Sequence, residues 1–482
     1  MGDPESVSVT ALTMNPGDSK RFAVLAIALY LGAIGTLLKA SDPLLPYLDG
    51  KAPEIIREIT NSIIPPEGVA LRQVIFRSRD NSEIYAAIAS PKASGKYPGI
   101  LVLHGGGGSA EVEKAMSWAQ CGFVAVAPDL PGIAEPKKLT ETKGRFSSLK
   151  YGEGRWVATP DASQSVIFDA VLSAMKSLYL LRSQPDVDTS KVGVVGVSWG
   201  GYMTTMVCGL AGDQVKAGLA LYGCGFFDLG SQSGTALYNP ALPKTSLTRL
   251  LPEERQRWLE CLDAGRRMPN MKAAYFLAAA SNDFFGWPRS AQATLDAIPG
   301  EKNHLFAPNA NHKISVPGGS TYDINPSTNS AAADKNFVPS AFQPLPTPKG
   351  AKGNWISLEI PYFDYYLKGI GQPFPRVMVE KTKDPLLARF IVTAPHPIAK
   401  TEIYWAKAAP ADLKADDVKN RVWTALPAVN SDGNAYEAKL PADAAEWFVL
   451  VSDDRPVTVS SDMIQIPETP INSAPSPAAS HP

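Results

Sequence analysis

Gly196-Val197-Ser198-Trp199-Gly200 follows an apolar run, Val192 to Val197, and precedes the helical stretch GYMTTMVCGLAG. A G-x-S-x-G turn between strand and helix is so sharp that its flanking positions tolerate only glycine. It lifts the serine hydroxyl to the top of a sheet, at a helix N-terminus. A serine hydroxyl is a weak nucleophile and needs a base before it can attack a carbonyl.

The chain has five histidines. His481 lies in the C-terminal tail, His396 in a β-rich region, and His104 on a strand that precedes the serine. His304 sits inside the strand-like KNHLFAPN, where a sheet would hold its side chain. His312 follows that strand in PNANHK, a loop from which an imidazole can reach across, so His312 is the expected base. A base of this kind needs a carboxylate to fix its tautomer and stabilise the imidazolium. Asp283, in AAASNDFF, lies just past an apolar strand, whereas Asp263 and Asp296 fall in helix-like stretches. The order Ser198, Asp283, His312 is the chain order of the α/β-hydrolase triad.

The oxyanion of a tetrahedral intermediate needs preorganised donors. The backbone N–H of Trp199 is one. The other is expected from Gly105 or Gly106, in the run His104-Gly105-Gly106-Gly107-Gly108 after the strand GILVLH. Glycines let the backbone approach a substrate without a Cβ clash. No G-x-x-x-x-G-K-[ST] is present, so this run does not read as a phosphate cradle. Tyr202, Phe284 and Phe285 are the candidate pocket residues, the two phenylalanines directly following the acid. Trp156, Trp199 and Trp287 are further aromatics near the site, readable equally as core.

These residues need elements to position them. LRQVIFRS and EIYAAIAS flank the turn Arg79-Asp80-Asn81 and read as an antiparallel strand pair. GILVLH (99–104), FVAVAPD (123–129), VGVVGVS (192–198), KAGLALYG (216–223) and AAYFLAAA (273–280) are short apolar strands, with helical periodicity over 162–182. Such strands separated by helices indicate a mostly parallel sheet with helices on both faces, whose ligands bind at the strands' carboxyl ends. Residues 42–68 read as Pro-rich and irregular, and 313–353 as a long loop. WISLEIPYFDYYLKGIG (355–371) reads as an amphipathic helix ended by glycine. RFIVTA, TEIYWA, RVWTAL, NAYEAKL and EWFVLVSD then predict a small all-β sandwich, immunoglobulin- or fibronectin-like.

The predicted fold class is therefore α/β, an α/β-hydrolase sheet plus a C-terminal β domain. The predicted division is a leader at 1–50, a catalytic domain at 51–372, a β-sandwich at 373–467 and a disordered tail at 468–482. Length, at 482 residues, allows two or three domains. With 45 % hydrophobic and 19 % charged residues and a formal net charge of −1, no field steers the chain to nucleic acid. Cys121, Cys208, Cys224 and Cys261 are widely spaced and show no zinc-ligand pattern; buried free thiols are expected, with one disulfide the alternative if the protein is exported. The uncharged run Phe22 to Leu38 would span about 25 Å as a helix. Lys20 and Arg21 before it and Ala40 and Ser41 after it fit either an export signal or an uncleaved membrane tether. A start at Met14 would leave MNPGDSKR, a more ordinary leader to that run.

Four further segments carry a resemblance. HGGGG (104–108), GFVAVAPDLPG (122–132), GVSWGGY (196–202) and LYGCGFF (221–227) together resemble the acetyl xylan esterase and dienelactone-hydrolase-like esterases, and the wider prolyl-oligopeptidase-like hydrolases. SNDFF (281–285) and PNANH (308–312) are similar to the acid and histidine segments of this group and of PhoPQ-activated pathogenicity-related proteins. The similarity spans about residues 70 to 372. It implies the same triad positions and an ester substrate with a small acyl group, such as an acetylated carbohydrate. Dienelactone hydrolases proper use a cysteine nucleophile where this chain has Ser198, so that activity is not implied. The expectation is an exported or membrane-anchored serine ester hydrolase that needs no metal and no organic cofactor. The alternatives are a prolyl-oligopeptidase-like peptidase and an inactive hydrolase-fold binding protein. The stretch between the apolar run and the first hydrolase strand is too short for the propeller that such peptidases carry.

Overall fold

The apolar runs become the strands of one large sheet in the computed structural model, which describes residues 42–60, 63–229, 247, 250–283, 288–310, 312, 358–409, 418, 420–455 and 457–467. The chain divides into two units, Met1–Asp49 and Gly50–Pro482. In the first, the described residues hold one short 3-10 turn, Leu45–Tyr47. Everything below concerns the second. Among the described residues no helix is long and apolar enough to cross a membrane, and the run Phe22 to Leu38 lies outside them.

The main sheet has nine strands: β1 (Ile55–Glu58), β2 (Val69–Arg77), β3 (Glu83–Pro91), β4 (Tyr97–Leu103), β5 (Val124–Pro128), β6 (Val187–Val197), β7 (Ala217–Leu221), β8 (Ala274–Ala280) and β9 (Lys302–Ala307). Their order is β1-β2-β3-β5-β4-β6-β7-β8-β9. β1, β2, β3 and β5 pair antiparallel, and β5 through β9 pair parallel. Every residue of β5, β7 and β8 is buried. A sheet with one wet face would alternate, so both faces are covered, as the apolar runs predict. The helices α1 (Val112–Gln120), α2 (Val166–Arg182) and α3 (Trp199–Leu210) pack on it, with α4 (Pro252–Leu262) and α5 (Pro288–Asp296) further along the chain. Ser165 caps α2 by accepting from the Ile167 N–H at 3.2 Å.

Two segments differ from their sequence reading. Residues 55–58, read as irregular, form the edge strand β1. Its burial pattern is mostly exposed, so no apolar alternation announces it. It is held by pairing to β2 and by exposed ion pairs, Arg57–Glu141 at 2.7 Å and Arg77–Glu54 at 2.9 Å. The helix expected over 355–371 is described from Leu358: an α-helical piece, α6 (Glu359–Phe363), runs into a π-helical turn at Asp364–Lys368. It ends, as read, at glycine, with Gly369 at φ +70°. A buried ion pair, Lys114–Glu359 at 2.9 Å, ties α6 to α1, and Lys368 at the far end donates to the Cys121 carbonyl at 2.7 Å.

The C-terminal region forms two antiparallel sheets. One orders β10 (Arg376–Glu380), β11 (Leu387–Thr393), β15 (Ala435–Lys439) and β14 (Val429–Asp432). The other orders β13 (Thr424–Pro427), β12 (Ile398–Ala406), β16 (Glu446–Asp453) and β17 (Thr458–Ser460), with β18 (Ile464–Gln465) beside β16. β17 packs on β9 of the main sheet, and Phe306 donates its N–H to the Ser460 hydroxyl at 2.9 Å.

Candidate active site

The chain leaves β4 toward β5 on one side and returns past it to β6 on the other. The loops after β4 and β6 therefore meet at the topological switch point, where open α/β sheets bind ligands. HGGGG follows β4 and Ser198 follows β6.

Ser198 has φ +56° and ψ −118°, a conformation that L-residues rarely adopt and that marks stored backbone strain. The surroundings enforce it. A Cβ on Gly196 would lie 2.3 Å from the Gly200 carbonyl oxygen, and one on Gly200 would lie 2.0 Å from that of Leu103. Both glycines are thus sterically required, as the motif predicts. The Ser198 N–H donates to the Leu221 carbonyl at 2.8 Å, which anchors the elbow to β7, and α3 begins at the next residue.

The Ser198 Oγ lies 2.7 Å from His312 Nε2, and His312 Nδ1 lies 2.8 Å from Asp283 Oδ2. The sequence places these residues on three loops, and the structure brings all three together. Asp283 is fully buried after β8, while the His312 side chain is 19 % exposed at the surface of the site. The Tyr222 ring lies against the imidazole, centroids 4.6 Å apart, on the loop after β7. A carboxylate on Nδ1 leaves Nε2 free to accept the serine proton, so this arrangement can activate a hydroxyl nucleophile.

The competing residues are committed elsewhere. Asp263 is fully buried and accepts the N–H groups of Phe226 at 2.7 Å and Phe227 at 2.9 Å; burial raises its pKa. Asp296 lies in α5 and accepts from Gln292 at 2.9 Å. His304 is buried in β9, and His396 pairs with Asp454 at 3.0 Å in the C-terminal region.

Gly105 and Gly106 lie against the elbow. A Cβ on Gly105 would sit 3.7 Å from Ser198 Cβ, and one on Gly106 would meet Tyr151 Oη at 2.1 Å and Trp199 Cδ1 at 2.6 Å. His104 shapes this loop. Its Nε2 accepts the Leu130 N–H at 3.0 Å, so Nδ1 carries the proton and donates to the Gly105 carbonyl at 2.8 Å. In a trans peptide the C=O and the next N–H point in opposite directions, so this bond aims the Gly106 N–H away from the His104 ring. Burial pushes the His104 pKa down to about 4, which keeps the ring neutral.

Behind the elbow lies an aromatic layer. Tyr202 is buried, stacked on Phe227 with centroids 5.7 Å apart, and its hydroxyl donates to the Leu262 carbonyl. Trp156, Trp199 and Trp258 pack around the same Phe227 ring. The buried Arg155 guanidinium lies 4.0 Å from the Tyr151 ring and 4.7 Å from the Trp199 ring. Two aromatic faces supply the electrostatic partner that a buried cation needs. Phe284, Phe285 and Trp287 fall outside the described residues. Tyr151, Arg155 and Tyr222 escaped the sequence reading; the first two carry no motif, and Tyr222 stood only inside LYGCGFF. Cys208, Cys224 and Cys261 are buried free thiols, as expected, whereas Cys121 is free but only half-buried. Among the described residues no group of His, Cys, Asp and Glu is arranged to hold a metal ion.

Residues 84–245 match the family model described as the dienelactone hydrolase family. Solved structures similar to the chain include an acetyl xylan esterase from a Paenibacillus species, 21 % identical, with TM-score 0.47 over 56 % of this chain and 87 % of that one. Acetyl xylan esterase 1 from a Thermoanaerobacterium species is 19 % identical, with TM-score 0.47 over 57 % of this chain and 87 % of that one. An acylaminoacyl peptidase from Pyrococcus horikoshii is 18 % identical, with TM-score 0.41 over 54 % of this chain and 40 % of that one. Residues 84–245 are thus similar to the dienelactone hydrolase family, and the nine-stranded sheet with its helices has the α/β-hydrolase fold.

Proposed function

We propose that this hydrolase cleaves carboxylic esters through an acyl-enzyme on Ser198. The observation that supports this reading is the hydrogen-bonded chain from Ser198 Oγ to His312 Nε2 at 2.7 Å and from His312 Nδ1 to Asp283 at 2.8 Å. His312 takes the serine proton as Ser198 attacks the ester carbonyl, then returns it to the leaving alcohol. The Trp199 and Gly106 amides, or that of Gly105, hold the developing oxyanion; one such donor is worth roughly 3 kcal/mol in comparable sites. Water then releases the acid by the same route. Small-acyl esters, acetylated carbohydrates among them, are the proposed substrates, on the motif resemblance. The proposed setting is exported or membrane-tethered, on the apolar run Phe22 to Leu38.

Hydrolysis of p-nitrophenyl acetate, butyrate and octanoate by the wild type and Ser198→Ala tests the proposal. Turnover of the acetate, lost in the variant and declining with chain length, is expected. Turnover that survives Ser198→Ala, or none on any ester, overturns it.

A further inference from the structure

The loops that carry the acid and the base are not held by the hydrolase sheet alone. After β8, Ser281 and Asn282 donate their N–H groups to Ala307 at 2.9 Å and Ala310 at 2.8 Å, so the two loops run as a pair beyond the strands. The Ser281 hydroxyl accepts the Asn309 N–H at 2.8 Å and donates to Asn282 Oδ1 at 2.9 Å. Both asparagine side chains then leave the hydrolase sheet. Asn282 Nδ2 donates to the Arg421 carbonyl at 2.7 Å. Asn309 Nδ2 donates to the Trp423 carbonyl and its Oδ1 accepts the Trp423 N–H, both at 2.8 Å.

Asn309 thus uses its amide as a strand uses a peptide group, exchanging two bonds with one residue of the C-terminal β region, just before β13. Only a side-chain amide offers a donor and an acceptor side by side. Asparagine also tolerates the left-handed backbone that the position demands, φ +55°. The partner is rigid. Trp423 is buried against Phe448 with centroids 5.0 Å apart, and the Arg421 guanidinium lies 4.7 Å from the Trp423 ring. Arg421 is anchored in turn by Glu446. Asn282 is the residue before Asp283, and Asn309 stands three residues before His312.

We infer that Asn309 and Asn282 are positioning residues, through which the segment Arg421–Trp423 of the C-terminal β region holds Asp283 and His312 in register with Ser198. The inference rests on the proposed roles of those three residues. It assigns the β region a place in catalysis: it braces the two buried loops where they run on beyond the strands of the parallel sheet.

The test uses the full chain and a fluorophosphonate probe, whose rate of attachment to Ser198 reads nucleophile activation without any choice of ester. Asn309→Gly keeps the left-handed backbone and removes both bonds to Trp423. It is expected to label ten- to a hundredfold more slowly, as a misplacement of about 1 Å costs, and to lower kcat with KM unchanged. Melting curves show that the variant is folded at the assay temperature. Should Asn309→Gly not fold, Asn282→Asp, which breaks the single bond to Arg421, carries the same comparison with a several-fold loss. A folded variant that labels at the wild-type rate overturns the inference alone. A wild type that the probe does not label at Ser198 overturns the reading of the site, and the inference with it. Wild-type labelling without ester turnover, slowed in Asn309→Gly, upholds the inference and overturns only the ester substrate.

Discussion

The Leu130 N–H donates to the buried His104 Nε2 at 3.0 Å, linking the loop after β4 to the stretch after β5. That bond determines which way the His104 proton faces, and the Nδ1–H then helps the Gly108 N–H to hold the Gly105 carbonyl and so to orient the Gly105–Gly106 peptide. His104→Ala leaves the Leu130 donor unpaired and the Gly105 carbonyl with the Gly108 N–H alone, at 3.0 Å. It is expected to cost about 1–3 kcal/mol of stability. On the proposed mechanism it also lowers kcat roughly tenfold or more, because the Gly106 amide loses its orientation. Melting and steady-state kinetics on the one variant check both. The same ring sets a pH dependence. With its pKa down at about 4 against an ordinary 6.5, the unfolded chain takes up a proton that the native state refuses. The stability from neutral His104 is present above about pH 6.5 and is lost as pH falls toward 4.

Asp283→Asn separates orientation from charge at the triad. The amide is the same size as the carboxylate but presents an N–H to His312 Nδ1. It favours the tautomer whose proton sits on Nε2, the atom that must accept from Ser198. A fall in kcat of roughly 10⁴-fold at neutral pH is expected, with the fold intact by circular dichroism. A loss of only a few-fold would show that Asp283 does not orient the base.

The elbow's steric demand separates two glycines of equal size. Gly200→Ala puts a Cβ 2.0 Å from the Leu103 carbonyl oxygen, a contact that only a backbone shift relieves. It is expected to yield little soluble protein. Gly433, in the turn between β14 and β15, has φ +55°, and a Cβ there would meet nothing within 4 Å. Gly433→Ala should therefore cost only the left-handed backbone term, about 1–2 kcal/mol, and leave activity unchanged. Expression yield and melting temperature of the pair check this.

What the sequence shows about this site follows from local chemistry. The strand–turn–helix around Ser198 is legible because the apolar run, the glycines and the helical stretch are contiguous. His312 is legible because the chain has so few histidines. Asn309, Tyr222 and Arg155 are not, because their partners lie on other loops: Asn309 meets Trp423, 114 residues away, and nothing near either residue announces the other. β1 escapes notice because an exposed edge strand has no apolar face to alternate. The C-terminal strands are legible from their alternation, but which of them faces the acid and histidine loops is set by packing of Phe448 and Phe306, centroids 6.2 Å apart, and not by any local pattern.

Asp129, directly after β5 in the APDLPG segment, gives the opposite pH dependence to His104. Its carboxylate accepts the Ala110 N–H at 2.8 Å and the Thr142 hydroxyl at 2.7 Å, tying the loop after HGGGG to the stretch beyond β5. Burial nevertheless outweighs these bonds and pushes its pKa up to about 6 from 3.8. The native state therefore keeps a proton that the unfolded chain releases. Stability from the protonated carboxyl is complete below about pH 4 and is lost as pH rises through 6, a swing of about 3 kcal/mol at most. Asp129→Asn keeps the shape and removes the titration. The stability advantage of the wild type over this variant should be largest near pH 4 and shrink toward pH 7, read by melting across that range. A difference that stays constant with pH would mean that Asp129 is ionised throughout, with its two hydrogen bonds outweighing burial.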